Sequence, residues 1–105
     1  MRKLEFNVED QRLKRTPGCN FSHIVAGTVG YLQMQFHFSH EWDDCVKVVS
    51  FWIDGVEEPV KLDSTNTCEV PTTVSSRETF DISVTGGKTG YRITTNKYHM
   101  KQEVR

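Results

Sequence analysis

Apolar and polar side chains alternate strictly along residues 31–39. Leu32, Met34 and Phe36 fall on one side of an extended chain, and the polar residues between them fall on the other side. Successive side chains of a β-strand point to opposite faces, so a period of two is typical of a strand with one face on a core and one face in water. The pattern therefore predicts a half-buried strand, since a helix would scatter the same apolar groups around its axis.

The rest of the chain repeats this pattern in short segments that are separated by turn residues. Alternation, or a high content of β-branched and aromatic residues, predicts further strands over residues 4–8, 46–53, 59–62, 68–70, 80–84 and 91–95. Residues 23–26 and 98–104 are weaker strand candidates. Asp54 and Gly55 are typical of a hairpin turn. Residues 86–90 predict a flexible loop, and residues 72–78 have room for one helical turn.

Turns that recur about every 8–12 residues indicate an antiparallel sandwich or barrel. We therefore expect an all-β fold, a single antiparallel β-sandwich (immunoglobulin-like or jelly-roll-like) of about seven or eight short strands. A chain of 105 residues forms one domain, so this sandwich is expected to span residues 1–105. The inward positions of the strands give the predicted core: Leu4, Phe6, Val25, Leu32, Met34, Phe36, Phe38, Val49, Phe51, Ile53, Leu62, Val70, Phe80, Ile82, Val84 and Ile93.

Charge is distributed unevenly along the chain, although the net charge is only −1. Residues 1–40 carry a net +2, residues 41–69 a net −6, and residues 70–105 a net +3. Such an asymmetry steers a partner of opposite charge, or it belongs to ordinary solvated loops. The candidate partner-binding residues are six carboxylates of the acidic block: Glu41, Asp43, Asp44, Asp54, Glu57 and Glu58.

Residues that could carry catalysis or hold a metal are sparse. His37, His40 and Cys45 fall short of the four paired ligands that zinc usually takes, and His37 lies on the polar face of its strand. Cys19 and His23 lack a third group at a recognisable spacing that would orient a nucleophile and its base. We therefore predict no enzymatic activity, no cofactor and no metal.

Nucleic-acid binding and membrane insertion are not favoured either. The glycine-rich residues 86–90 lack the spacing of a phosphate loop. Basic residues cluster near both ends of the sequence: Arg2, Lys3, Arg12, Lys14 and Arg15, then Lys88, Arg92, Lys97 and Lys101. A nucleic-acid-binding module is usually basic overall and carries stacking aromatics, whereas this chain is slightly acidic. No apolar run approaches the roughly 20 residues of a membrane helix.

The cellular location follows from the N-terminus and the cysteines. The first residues are charged and contain no hydrophobic stretch of the kind found in a secretory signal. Three cysteines, an odd number, are then expected to be reduced thiols in a cytoplasm.

Six segments carry a family resemblance. They are FNVEDQRL (6–13), VAGTVGYL (25–32), FHFSHEW (36–42), LDSTNTCEVP (62–71), FDISVTGG (80–87) and ITTN (93–96). Together they resemble a β-sandwich domain common in tail, baseplate and fibre-region proteins of phages of Gram-positive bacteria. The resemblance spans nearly the whole chain, rests mostly on core and turn positions, and implies no catalytic residues. One departure follows Trp42, where the family tends towards a smaller and less charged turn than Asp43-Asp44-Cys45.

The resemblance implies two alternative functions. In general respects the chain is similar to small phage anti-CRISPR proteins, which act in the cytoplasm of the infected host. On that reading it inhibits a type II CRISPR effector nuclease, whose nucleic-acid surface the six carboxylates would occupy. The alternative is a structural protein of the virion, in the tail, baseplate, fibre or head decoration, with contacts through sheet edges and exposed apolar groups such as Trp52 and Tyr31. We expect the inhibitor first, because one small domain makes up the whole chain.

Overall fold

Residues 1–104 are described by a computed structural model in which short strands dominate. The strands are β1 (Arg2–Glu9), β2 (Arg12–Arg15), β3 (Leu32–Phe38), β4 (Val46–Ile53), β5 (Val56–Lys61), β6 (Thr67–Glu69), β7 (Thr79–Lys88), β8 (Tyr91–Thr94) and β9 (Tyr98–Lys101). A 3₁₀ helix (His40–Trp42) precedes β4, and a single turn of α-helix, α1 (Thr72–Ser75), precedes β7.

The strands form two sheets. The four-stranded sheet has the order β2-β1-β3-β6, and the other sheet has the order β5-β4-β7-β8, with β9 also paired to β7. Strands β1 and β3 run parallel, which their long connection through β2 allows, and the other strand pairs are antiparallel. The predicted all-β sandwich is therefore confirmed, with one parallel pair that the sequence pattern did not indicate.

The core lies between the inner faces of the two sheets. Phe6 of β1 stacks on Phe36 of β3 with ring centroids 5.3 Å apart. Phe6 also makes an edge-to-face contact with Tyr98 of the other sheet, with ring centroids 5.5 Å apart. Most predicted core residues are buried there, while Phe38 and Ile53 are partly buried at the margin. Removal of these large side chains from water is the main force that holds the sheets together.

Residues 23–26 do not form the predicted strand, and Val25 does not belong to the core. His23 adopts a positive φ of 57°, which turns the chain, and Val25 makes a single parallel bridge to Glu103. Val25 is 38% exposed, whereas its neighbour Ile24 is buried. The prediction of a strand over residues 23–26 is therefore wrong.

Strand β2 was missing from the prediction because three of its four residues are charged. Only Leu13 points into the core, and the strand lies at the edge of its sheet, where charged side chains stay in water. The last strand is also shorter than predicted, since β9 ends at Lys101.

Trp42 lies within the polar run of residues 39–44, which is typical of a turn, yet it is fully buried. Its ring packs 5.1 Å from that of Phe38, and its Nε1 donates a hydrogen bond to the carbonyl of Asp10 at 2.7 Å. Gly86 lies directly beneath the indole, where a Cβ would stand 2.7 Å from Trp42 Cε3. The predicted glycine loop is therefore wrong at residues 86–88, which belong to β7, and the turn falls at Gly90.

Candidate protein-binding surfaces

The three residues considered as zinc ligands, His37, His40 and Cys45, lie apart from one another and contact different partners. His37 pairs with Glu5 at 2.9 Å, His40 meets Asp43 at 3.4 Å, and Cys45 is buried. Among residues 1–104, no three His, Cys, Asp or Glu side chains are grouped as metal ligands. The two histidines therefore form hydrogen-bonded pairs with surface carboxylates, and Cys45 is a packed thiol.

The remaining cysteines do not form a nucleophile with a histidine. Cys19 Sγ accepts a hydrogen bond from the backbone N–H of Glu5 at 3.4 Å, while His23 pairs instead with Glu103 at 3.2 Å. Burial, and to a lesser degree the charge of a nearby aspartate, raises the pKa of Cys68 to about 12. Since the thiolate is the reactive form, Cys68 is inert at neutral pH.

Three of the six candidate carboxylates, Glu41, Asp43 and Asp44, are exposed on the 3₁₀ helix and the turn before β4. The Tyr91 hydroxyl donates to the carbonyl of Glu41 at 2.6 Å, and Lys88 Nζ donates to the carbonyl of Asp43 at 3.0 Å. Desolvation and the charge of Glu41 raise the pKa of Tyr91, so this hydroxyl remains a donor. The backbone that presents these carboxylates is thus fixed from β7 and β8.

The other three carboxylates lie at the opposite end of β4. Asp54 is in the β4–β5 turn and forms an ion pair with Arg77 at 2.6 Å. Glu57 accepts a hydrogen bond from the hydroxyl of buried Ser50, and Glu58 accepts one from Thr73 Oγ1 at 2.7 Å. The eight residues of β4 span about 25 Å. The six predicted carboxylates therefore form two separate groups and do not share one patch.

The outer face of the five-stranded sheet carries an aromatic residue among polar ones. Trp52 is half-buried, and its Nε1 donates to Ser83 Oγ at 3.0 Å. Lys97 Nζ lies 3.9 Å from the centroid of the Trp52 ring, in a cation–π contact. His99 pairs with Asp81 at 2.8 Å on the same face. The sequence indicated Trp52 as an exposed contact residue but did not indicate which residues surround it. Its neighbours Ser83 and Lys97 belong to β7 and to the β8–β9 connection. Alternation within one strand does not predict contacts with other strands.

The fold also brings together parts of the two basic clusters of the sequence, those on residues 12–15 and 97–101. Strand β2 lies at one edge of its sheet, and β8 and β9 form an edge of the other sheet. Asn96 joins these edges, because its Oδ1 accepts a hydrogen bond from Leu13 N at 2.7 Å and its backbone N–H donates to Gln11 O at 3.3 Å. Residues 12–15 and 97–101, distant in the sequence, therefore occupy one side of the sandwich.

Comparison with models of known protein families gives no match, and comparison with curated proteins gives none either. Over residues 1–104 no helix is long and apolar enough to cross a membrane. The side chains with functional potential lie on exposed faces, ends and edges of the two sheets.

Proposed function

We propose that this protein is a non-catalytic structural module of a phage particle, which holds neighbouring particle proteins through its exposed strands. The observation that carries the proposal is the outer face of the five-stranded sheet, where Trp52 and Lys97 stand among hydrogen-bonded polar residues. Tryptophan is enriched among the residues that contribute most to the binding energy of protein–protein contacts, and such residues are ringed by more polar ones. The family resemblance of the sequence supports a particle protein as the partner.

The proposal is tested on purified phage particles. Quantitative mass spectrometry is expected to find the protein in a fixed copy number per particle, and an abundant non-structural phage protein serves as the control for carry-over. A phage that encodes Trp52→Ala is expected to incorporate fewer copies, whereas Val29→Ala, in the exposed loop before β3, is expected to incorporate normally. Absence of the wild-type protein from purified particles would overturn the structural role.

A second candidate function, inhibition of a type II CRISPR effector nuclease, is favoured by one observation. Glu41, Asp43 and Asp44 are exposed at one end of the sandwich on a backbone that Tyr91 and Lys88 hold in place. Pre-positioned carboxylates of this kind suit the arginines with which such a nuclease reads its adjacent DNA motif. The mechanism would be blocked access through charge complementarity.

A DNA-cleavage assay distinguishes this function from the structural one. Purified protein is added to the nuclease before or after guide RNA and DNA, and the order that inhibits identifies the blocked step. Because the carboxylates form two groups, Asp43→Lys with Asp44→Lys is expected to abolish inhibition, while Glu57→Lys with Glu58→Lys is the matched control. Uninhibited cleavage across several type II nucleases would reject the inhibitor.

A further inference from the structure

A small cavity lies at the end of the four-stranded sheet where β1 and β3 begin. These strands run parallel, with Arg2 paired to Leu32, and the β2–β3 connection contacts Arg2 through its backbone carbonyls. The cavity has a volume of about 160 Å³, and its walls are mostly apolar, with contributions from Ile24, Val25, Tyr31 and Leu32. Since an apolar cavity of about 150 Å³ is large enough for benzene, this one has room for one aliphatic side chain.

Arg2 lines this cavity, and its guanidinium is fixed by the β2–β3 connection. Nη1 donates to the carbonyl of His23 at 3.3 Å, and Nη2 donates to the carbonyls of Asn20 at 2.9 Å and Ser22 at 2.6 Å. A guanidinium has five N–H donors, so two remain for a ligand after these three bonds. Arg2 forms no ion pair with any residue of 1–104, and the carboxylate of Glu103 is engaged by His23 at 3.2 Å. The positive charge of Arg2 is therefore uncompensated beside an apolar cavity.

Thr28 supplies a second polar group in the wall of the cavity. Its carbonyl accepts a hydrogen bond from Ser75 Oγ at 2.7 Å, whereas its Oγ1 is buried and has no hydrogen-bond partner within residues 1–104. Buried polar atoms are nearly always hydrogen-bonded, so an unpartnered hydroxyl in a cavity wall indicates a polar ligand atom. A hydroxyl donates as well as accepts, and it therefore suits a carboxylate oxygen.

We infer that this cavity binds the C-terminal residue of a partner polypeptide, with an aliphatic side chain against the apolar walls and the terminal carboxylate on Arg2. A guanidinium pairs best with a carboxylate, and capture of a C-terminal carboxylate is a recurring mode of peptide recognition. Neighbouring side chains of an extended peptide point to opposite faces, so an aliphatic residue and an adjacent Asp or Glu cannot both enter one small cavity. In a C-terminal residue the side chain and the carboxylate share one Cα and enter together.

The surface beside the cavity is apolar, which favours a chain over a free small acid. Met1 precedes Arg2, whose backbone N–H donates to the carbonyl of Tyr31 at 2.8 Å. Val104 follows Glu103, which forms a parallel bridge with Val25. Four of the seven exposed large apolar side chains in residues 1–104 are therefore at or next to the cavity: Met1, Val25, Tyr31 and Val104. Clustered exposed apolar groups mark interaction sites, and here they would contact the residues that precede the partner's C-terminus.

An NMR titration of the isotope-labelled full chain tests the inference. The probe is a short glycine–serine peptide that ends in leucine with a free carboxylate, and its control is the same peptide with a C-terminal amide. The free acid is expected to shift the backbone amide signals of residues 23–32 with a Kd of about 1 mM or lower. The amidated peptide is expected to bind at least about tenfold more weakly, because it cannot form the charge-assisted pair with Arg2.

Matched tryptophan variants locate the site. Val25→Trp places a large ring at the cavity, at a position that is 38% exposed, and should abolish binding of the free acid. Val46→Trp, at an exposed valine of β4 that does not line this cavity, should bind as the wild type does. The amide spectrum of each variant without peptide shows whether it is folded.

Three outcomes would overturn the inference. The first is equal binding of the free acid and the amide, or no shift with either up to about 10 mM peptide. The second is binding of isovalerate as tight as that of the peptide, which would make the ligand a free small acid. The third is a set of shifts around Trp52 that Val25→Trp leaves unchanged. None of these results affects the particle test, since the cavity includes neither Trp52 nor Lys97.

Discussion

Replacement of Gly86 by alanine tests whether Trp42 fixes the end of the sandwich. The new Cβ would stand 2.7 Å from Trp42 Cε3, 2.8 Å from Cζ3 and 3.2 Å from the Cβ of Cys45. Real Cβ atoms do not approach this closely, so the indole or the strand must move. The indole is fully buried and held by its hydrogen bond to Asp10, which leaves it little room.

The neighbouring glycine supplies a matched control. A Cβ at Gly87 meets only the carbonyl oxygen of Tyr91, at 3.9 Å, which is ordinary contact. Overpacking of a core costs about 1–3 kcal/mol, whereas alanine in an unhindered strand is favoured over glycine by roughly 0.5–1 kcal/mol. We therefore expect Gly86→Ala to destabilise the fold by about 1–3 kcal/mol and Gly87→Ala to be neutral or slightly stabilising.

Thermal and urea unfolding measure this difference. At roughly 4–8 °C per kcal/mol, Gly86→Ala should lower Tm by about 4–24 °C, with the urea m-value unchanged. Trp42→Phe removes the indole atoms that the new Cβ would contact. Gly86→Ala should therefore lower the free energy of unfolding less in the Trp42→Phe variant than in the wild type, with a coupling free energy of about 0.5–3 kcal/mol. Equal stability of the Gly86 and Gly87 variants, or no coupling to Trp42, would refute the proposed packing.

Three further predictions concern other parts of the fold. Iodoacetamide at neutral pH should label only Cys19 in the native protein, since the other two cysteines are buried, and mass spectrometry should find all three labelled after unfolding. Asn96→Ala leaves the Leu13 N–H without its partner and should cost about 1–3 kcal/mol in urea unfolding, while Asn96→Asp, which keeps the acceptor, should cost less. Asp63 has a pKa below its ordinary 3.8, so its contribution to stability is present above that pH and is lost as the pH falls through the folded-state pKa. The unfolding midpoint of Asp63→Asn should accordingly depend less on pH below about 4 than that of the wild type.

The local pattern of the sequence was sufficient to predict most strands. Residues 46–53 were predicted as a strand and form β4 with the same bounds. The alternation over residues 31–39 predicted β3, and the hairpin turn at Asp54-Gly55 is present with both residues at positive φ. These elements were predictable because their signals lie within a few consecutive residues.

The errors occur where distant parts of the chain decide the outcome. Trp42 looks like part of a polar turn, and its burial depends on Gly86, which is 44 positions away. Strand β2 has little pattern of its own and is held by pairing to β1 and by Asn96. The acidic block is contiguous in sequence, but β4 carries the chain about 25 Å between its two halves. Proximity in sequence therefore predicted neither the separation of the carboxylates nor the approach of residues 12–15 to residues 97–101.

The placement of charge on edge strands bears on which assembly the fold permits. Exposed edges are prone to uncontrolled pairing, and charged residues together with Pro59 oppose it in β5, as three cations do in β2. Uncontrolled pairing along these sheet edges is thus disfavoured.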